Sequence, residues 1–247
     1  MSNTIRSTQR VLALQHVAIN PPGLVGEALR RHRIPYDIVQ VANEALPDPT
    51  QYSAIVSFGG IQHVYEEGET PYHYIKQEEK MLHTAVEIGI PVLGICLGSQ
   101  ILAHAFGANV KAQPPAKIGF LEIQFTPEGQ QDPIYQGFTN FEQAFHWHGD
   151  IFENPAGATL LAHHNSGKHH AFRIGQHAYG LQYHVELTAQ MLEHWLNDPS
   201  SRHDFIEDRG IKAYNKVIQE RPQLYPLYHT HSQLLIENFL RISHLIN

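Results

Sequence analysis

Short apolar runs alternate with segments of helical periodicity over the first hundred residues. We predict strands over residues 10–19, 36–41, 54–58 and 90–95, and helices over 24–33 and 72–88. The runs are short and mostly apolar, which is typical of strands that are buried on both faces. A regular alternation of strand and helix indicates a parallel sheet that is covered by helices on both sides.

The pattern changes after a further predicted helix over residues 100–106. Shorter strands follow, joined by tight turns and some of them antiparallel, over 118–125, 143–147, 159–162, 171–174 and 178–183. The chain is predicted to be helical from residue 188 onward. We therefore predict an α/β fold with a doubly wound, mostly parallel sheet that is flanked by helices and followed by a C-terminal helical extension.

A candidate boundary lies where Asp198-Pro199 interrupts the helical pattern near the C-terminus. We predict one domain over residues 1–196 and a helical extension over 197–247 that packs on the same domain. The apolar face of the last helix would suit packing on its own domain or on a second copy in a homodimer.

Charge and hydropathy exclude several kinds of partner. The chain has 247 residues, with 17 Lys and Arg against 24 Asp and Glu, and a formal net charge of −7. An acidic chain without a basic run is a poor match for nucleic acid. No stretch approaches the roughly 18 uninterrupted apolar residues of a membrane helix, and the N-terminus does not resemble an export signal. We therefore expect a cytoplasmic protein that binds neither nucleic acid nor membrane.

The single cysteine stands between a predicted strand and a predicted helix. The segment Gly94-Ile95-Cys96-Leu97-Gly98 has glycine two positions away on each side of Cys96. This is the pattern of a sharp strand-to-helix turn that presents a nucleophile, with sulfur in place of oxygen. Larger residues at the two glycine positions would collide, and the helix N-terminus favours a thiolate. The alternative is a chance pattern with Cys96 as an inert core residue.

A proton shuttle for such a thiol is available in the segment Gly180-Leu181-Gln182-Tyr183-His184-Val185-Glu186. Alternate residues of a strand point the same way, so His184 and Glu186 share a face if the extended conformation continues through them. The carboxylate would then hold the imidazole in one tautomer. Together with Cys96, these residues predict a thiol acyl-transfer triad.

Four motifs in this order resemble those of class I (triad-type) glutamine amidotransferases. They are Phe58-Gly59-Gly60, the segment from Gly94 to Gln100, His146-Trp147-His148-Gly149-Asp150, and the segment from Gly180 to Glu186. The resemblance spans roughly residues 11–192 and is strongest to free-standing proteins similar to the glutaminase domain of GMP synthetase. It implies a doubly wound α/β catalytic domain.

The resemblance also implies a role for each matching residue. Cys96 would attack the side-chain amide of glutamine and form a γ-glutamyl thioester, with His184 as acid and base and Glu186 as its orienting partner. The backbone N–H groups of Gly60 and Leu97 would form the oxyanion hole. The substrate-binding residues would be Gln100, His148, Gly149 and Asp150, the last three in a turn. No cofactor and no metal are implied.

Two positions depart from the family pattern. Ile61 and Val185 stand where the family usually has proline, after the glycine pair and between the catalytic His and Glu. Proline fixes φ and removes an N–H group, so its absence loosens the local backbone without removing a reacting group. We expect the chemistry to survive, with altered tuning of the glutaminase activity.

Nineteen histidines are many for this length, and two pairs, His163-His164 and His169-His170, bracket a polar segment. One interpretation is a metal site, which His146 and His148 could also form. We favour a polar hairpin with exposed imidazoles, because no acidic or cysteine ligand accompanies the cluster. The role of residues 163–170 is otherwise open.

Three functions follow from these motifs. The first is a glutaminase-type enzyme that releases ammonia for a separate synthetase or acceptor protein, because few residues follow the catalytic segment. The second is a hydrolase or transferase for γ-glutamyl peptides or other small amides with the same triad. The third is a regulatory or thiol-sensing module without turnover, for which the sequence offers least since no triad member is missing.

Overall fold

The computed structural model describes residues 9–66, 73–163 and 169–247. One nine-stranded sheet organises the chain, in the order β2-β1-β3-β4-β9-β8-β7-β5-β6. The strands are β1 (Val11–Gln15), β2 (Tyr36–Gln40), β3 (Ala54–Ser57), β4 (Val92–Ile95), β5 (Val110–Phe125), β6 (Phe141–Phe152), β7 (Thr159–His163), β8 (His169–Ile174) and β9 (Ala178–Leu181). The helices are α1 (Gly23–Arg31), α2 (Tyr74–Glu87), α3 (Leu97–Ala105), α4 (Pro127–Gln131), α5 (Ala189–Asn197) and α6 (Pro199–Ile242).

Five neighbouring strands, β2, β1, β3, β4 and β9, are mutually parallel. Strands β1, β3, β4 and β9 are buried at every residue, as expected for strands that are covered by helices on both faces. Two apolar clusters, one on each side of the sheet, form the core. The carboxyl ends of these strands meet at one edge, which is where ligands bind in open α/β sheets.

The other strands, β8, β7, β5 and β6, are antiparallel and bring the far edge of the sheet back toward β9. Phe145 of β6 forms an isolated antiparallel bridge with His184, just beyond the end of β9. Strands β5 and β6 are longer than predicted, because they pair with each other along most of their length. The sheet is therefore curled, and the predicted fold class is confirmed.

Helix α6 packs on the same body as the sheet. It bends at Gly210, whose φ is 80°, and Asp198 caps its first turn by accepting from the Ser201 N–H at 3.0 Å. Further along, Asn238 donates to the carbonyl oxygens of Ile134 and Gln136. Leu235, Ile236, Phe239 and Leu240 are buried in the core. The helix begins where Asp198-Pro199 predicted a break, while the division of the chain into units at residue 197 stays a prediction.

Among the residues that the structure describes, no helix has the length and apolar character needed to cross a membrane.

The contact between α6 and the segment after β9 provides a test of this packing. The buried Tyr228 hydroxyl accepts from the Leu187 N–H at 3.0 Å. Tyr228→Phe leaves that N–H unsatisfied, and we expect the free energy of unfolding to fall by about 1–3 kcal/mol. The control Tyr36→Phe removes an exposed hydrogen bond from Arg30 and should change the free energy of unfolding by at most about 0.5 kcal/mol.

Urea unfolding followed by circular dichroism and by tryptophan fluorescence measures both variants. If α6 belongs to the same cooperative unit, the two signals change at the same urea concentration. A loss of helix at clearly lower urea than the fluorescence change would contradict the predicted packing of residues 197–247 on the domain.

Candidate active site

Cys96 occupies the turn between β4 and α3, at the carboxyl edge of the parallel strands. Its backbone has φ 51° and ψ −108°, a conformation that a residue with a side chain seldom adopts. Such strain persists only where the surroundings enforce it. Because Cys96 immediately precedes the first residue of α3, its thiol lies at the N-terminus of that helix. The helix dipole and free N–H groups favour negative charge there.

The glycines that flank this turn are required by close backbone contacts. A Cβ atom at Gly94 would lie 2.6 Å from the Gly98 carbonyl oxygen. A Cβ atom at Gly98 would lie 2.2 Å from the Ser57 carbonyl oxygen on β3. The turn therefore packs directly on the neighbouring strand, and this contact sets the position of Cys96.

His184 and Glu186 lie beside this turn and contact each other. His184 Nδ1 is 2.8 Å from Glu186 Oε1, and both side chains are buried. The condition that an extended strand continues through them is not met, because β9 ends at Leu181. The segment leaves the strand where the His184 N–H donates to the Phe145 carbonyl oxygen at 2.9 Å. The Val185 N–H in turn donates to Glu186 Oε2 at 3.0 Å.

The imidazole of His184 lies next to Cys96. A Cβ atom at Gly59 would lie 3.0 Å from His184 Cε1 and 3.5 Å from Cys96 Cβ, so the two side chains border the same point. His184 Nε2, the ring nitrogen that does not contact Glu186, is buried. Burial by itself would lower the pKa of His184, but its electrostatic and hydrogen-bonding interactions with Glu186 and Cys96 outweigh burial and raise that pKa well above its usual range.

A small pocket of about 150 Å³ opens onto the thiol. Cys96 is only 5% exposed, yet it is part of the pocket wall together with His184. The other lining residues are Val17, Ile19, Asn20, Gly59, Gly60, Ile61, Trp147, Trp195, Ser201 and Asp204. The size suits a small molecule or the end of a side chain.

Gly60 and Leu97, the predicted oxyanion-hole residues, lie next to each other, and Gly60 lines the pocket. A Cβ atom at Gly60 would lie 2.6 Å from Leu97 Cδ2, which shows how closely the two residues approach. Leu97 is the first residue of α3, where backbone N–H groups lack partners within the helix. Their roles stay predictions, as does that of the triad.

The four predicted substrate-binding residues lie behind the pocket wall. Gln100, His148 and Asp150 are buried, and none of the four, all within the described residues, lines the pocket. Gln100 Nε2 contacts the Asp150 carbonyl oxygen at 3.5 Å, and Asp150 Oδ2 is 2.5 Å from His63 Nδ1. Their contact with a substrate stays a prediction.

Two expectations about this region are wrong. The segment from His148 to Asp150 is not a turn but part of β6, because it pairs with Lys117 and Ala112 of β5. The imidazole of His170, predicted to be exposed in a polar hairpin, is only 1% exposed since β8 lies inside the curled part of the sheet. Residues 164–168 of that hairpin lie outside the described residues.

Sequence reasoning missed the aromatic and helical walls of the pocket. The Trp195 ring packs edge-to-face on His184 at 5.0 Å and on Trp147 at 5.9 Å between centroids. Ser201 and Asp204 come from the first turns of α6. Apart from the apolar character of the tryptophans, no local pattern marks these residues.

A buried carboxylate that sequence reasoning also missed supports the strands next to Cys96. Glu78 of α2 accepts from the Ser57 hydroxyl at 2.6 Å and lies 2.8 Å from His16 Nε2. His16 and Ser57 stand at the ends of β1 and β3, beside Gly60 and Gly98. In the sequence, this buried carboxylate is marked only by a glutamate within an otherwise regular amphipathic helix.

Comparison with known proteins agrees with the motifs. The family model for Glutamine amidotransferase class-I matches residues 24–198. The chain belongs to this family. The chain is similar to the glutamine amidotransferase-like protein YfeJ of Salmonella typhimurium, with 31% identity over 186 residues, covering 74% of this chain and 77% of YfeJ.

A solved structure extends the likeness to most of the chain. A glutamine amidotransferase from Thermotoga maritima superposes with a TM-score of 0.81 at 28% identity, covering 95% of this chain and 98% of that protein. The glutamine-hydrolyzing GMP synthase of Wolinella succinogenes is 31% identical over 67% of this chain. This amidotransferase-family chain spans only 31% of the length of that synthase.

The contact between Gly98 and Ser57 can be tested with a matched pair of glycine variants. Gly98→Ala would place a methyl group against the Ser57 backbone, and we expect a loss of about 1–3 kcal/mol in the free energy of unfolding. Gly149→Ala adds the same methyl group where nothing lies within 4 Å, and it should change the free energy of unfolding by at most about 0.5 kcal/mol.

Urea denaturation gives the two free energies, and the rate of alkylation by iodoacetamide gives the reactivity of Cys96. We expect Gly98→Ala to change this rate and Gly149→Ala to leave it unaltered. Equal effects of the two substitutions would contradict the close packing of the turn on β3.

Proposed function

We propose that this protein hydrolyses the side-chain amide of glutamine, or of a γ-glutamyl compound, through a Cys96–His184–Glu186 triad. The observation that carries the proposal is that residues 88 positions apart, Cys96 and His184, border one pocket, with the imidazole already held by Glu186 at 2.8 Å. Membership in the class I glutamine amidotransferase family supports it.

The first half-reaction forms a thioester. His184 Nε2 takes the thiol proton, and Cys96 Sγ attacks the side-chain carbonyl carbon of glutamine. Negative charge then develops on the carbonyl oxygen, and the N–H groups of Gly60 and Leu97 would stabilise it by donating hydrogen bonds. One such donor typically lowers the activation barrier by about 3–4 kcal/mol. His184 returns the proton to the departing nitrogen, and ammonia leaves a γ-glutamyl thioester.

The second half-reaction restores the thiol. His184 takes a proton from water, the resulting hydroxide attacks the thioester carbonyl carbon, and the carbon–sulfur bond breaks. The proton on His184 returns to Cys96 Sγ. The net reaction converts glutamine and water to glutamate and ammonia, and Glu186 keeps its negative charge throughout.

The apolar wall of the pocket favours a second candidate substrate class. Trp147, Trp195 and Ile61 offer little to the polar end of glutamine but could pack on an apolar amine portion of a γ-glutamyl amide or peptide. The same triad would then release an amine in place of ammonia.

If the substrate is glutamine itself, we propose that a separate synthetase consumes the ammonia. The names of the glutamine-hydrolyzing GMP synthases among the relatives of this chain support glutamine as the source of ammonia.

Turnover and trapping test the nucleophile and the substrate class together. We expect purified protein to release glutamate from glutamine or from γ-glutamyl peptides, and Cys96→Ala to lower this rate by at least about 10⁴-fold, because no other group can carry the thioester. A glutamine-like chloroketone should add one mass label at Cys96, and glutamine should slow the labelling.

The outcomes separate the proposals. Release of glutamate from peptides alone would reject the glutaminase, and turnover that persists in Cys96→Ala would reject the triad. Labelling of Cys96 that neither glutamine nor a γ-glutamyl peptide slows, with no turnover of either, would favour a thiol-sensing module.

The charge of Glu186 predicts the pH dependence of activity. Glu186→Gln removes the carboxylate that raises the pKa of His184, so the imidazolium is lost at a lower pH. Because the imidazolium must protonate the leaving nitrogen, we expect the alkaline limb of kcat/KM to shift to lower pH and kcat to fall by about 100-fold or more.

Glu193→Gln on the exposed side of α5 is the matched control and should leave the profile unchanged. The profiles of kcat/KM against pH are recorded for both variants and the parent protein. An alkaline limb that stays in place in Glu186→Gln would show that His184 does not supply the proton.

A further inference from the structure

A single buried carboxylate connects the two chain segments that carry the predicted oxyanion-hole residues. Glu78 of α2 is completely buried, and each of its carboxylate oxygens has a different partner. Oε1 accepts from the Ser57 hydroxyl at 2.6 Å, and Oε2 lies 2.8 Å from His16 Nε2. Because a carboxylate has no proton to give, the His16 ring donates this second bond. One side chain therefore holds both Ser57 and His16.

His16 supports the loop that carries Gly60. It immediately follows β1, and a Cβ atom at Gly60 would lie 2.8 Å from His16 Cβ. The Gly60 backbone therefore packs directly against His16, with no room for a side chain between them. Because the side chains of His16 and Glu78 are both fully buried, the carboxylate also fixes the position of this contact.

Ser57 supports the other predicted donor, Leu97, through the turn at Cys96. Ser57 is the last residue of β3, and a Cβ atom at Gly98 would lie 2.4 Å from its hydroxyl oxygen. The Gly98 N–H also donates to the carbonyl oxygen of Phe58, the next residue after Ser57, at 3.1 Å. Leu97 directly precedes Gly98, so the end of β3 holds the start of α3 in place.

Direction is what this carboxylate adds to an otherwise apolar contact. Glu78 lies on the buried face of α2 between Ile75 and Leu82, three and four residues away. A buried ionic group is often no more stabilising than an apolar side chain of the same volume. Hydrogen bonds depend on angle, whereas apolar contacts do not, so an apolar residue would fill the space without orienting the ends of β1 and β3.

We propose that Glu78 is a positioning residue for the oxyanion hole, which sets the directions of the Gly60 and Leu97 N–H groups. This inference rests on the roles that the proposed function gives to Cys96, Gly60 and Leu97. Such donors act only within hydrogen-bond distance of the developing oxyanion, and a displacement of about 1 Å can lower a rate by about 100-fold. Glu78 is not among the described residues that line the pocket, so it acts through His16 and Ser57.

Two reactions of Cys96 separate positioning of the oxyanion hole from general support of the turn. In acylation by 4-nitrophenyl acetate, Sγ attacks the carbonyl carbon, negative charge develops on the carbonyl oxygen, and 4-nitrophenolate leaves an acetyl thioester. In alkylation by iodoacetamide, Sγ displaces iodide from a methylene carbon, and no charge develops on a carbonyl oxygen. The ratio of the two rate constants therefore reports on the oxyanion hole.

The experiment measures both rate constants in full-length protein, with Cys96→Ala as the background. In Glu78→Gln an amide offers one oxygen where the carboxylate offers two, so it cannot accept from both Ser57 and His16. We expect the acylation-to-alkylation ratio to fall by about tenfold or more, with an alkylation rate within about twofold of the parent. Glu87→Gln on the exposed side of α2 is the matched control and should leave the ratio unchanged.

Ser57→Ala decides the question if Glu78→Gln does not fold, as judged by circular dichroism. It removes only the hydrogen bond to Glu78 Oε1, and we expect the ratio to fall by about threefold to tenfold.

The outcomes keep this proposal apart from the proposed function. An unchanged ratio in the folded variant, or equal losses of acylation and alkylation, would overturn the role of Glu78 even if the parent hydrolyses glutamine. Alkylation of Cys96 without acylation in the parent would overturn it too, because there is then no oxyanion hole to position. If the ratio falls as expected but the parent turns over neither glutamine nor γ-glutamyl peptides, the proposed function fails and the role of Glu78 stands.

Discussion

The contact between the turn that carries Cys96 and the end of β3 is the constraint on which the rest of the site depends. Gly98 approaches the Ser57 backbone more closely than any side chain would allow, and Gly94 approaches Gly98 in the same way. This packing holds Cys96 in a strained conformation at the N-terminus of α3. Glu78 reinforces it from below, because its carboxylate joins the ends of β1 and β3 through His16 and Ser57. A rigid scaffold of this kind would suit the nucleophile that we propose Cys96 to be, because a fixed group meets a substrate without reorganisation.

The second half of the site is held by less regular structure. His184 and Glu186 follow the end of β9, and their segment is kept in place by the bridge to Phe145 and by α6. Val185 stands where related proteins usually have proline, and its N–H donates to the Glu186 carboxylate, a bond that proline cannot make. The departure from the family pattern therefore replaces a fixed φ with a hydrogen bond to the carboxylate that contacts His184.

Helix α6 and the curled edge of the sheet complete the pocket from opposite sides. Ser201 and Asp204 come from α6, and Trp147 comes from β6, with Trp195 of α5 packed between that ring and His184. The side of β6 that faces away from the pocket carries the buried imidazoles of His146 and His148, which pack against His170 of β8. One strand thus contributes to the wall beside the thiol and to a buried set of imidazoles.

The sequence by itself determined the parallel strands and the turn at Cys96, because each depends on apolar runs or on glycines a few residues apart. Only the tertiary structure decided the irregular path from Gln182 to Leu187, the burial of His170 and the walls formed by Trp195 and Asp204. These depend on contacts between residues far apart in the chain, such as Phe145 with His184, and on how strongly the sheet curls. Local periodicity carries no information about that curl, since β5 and β6 would show the same pattern in a flat sheet.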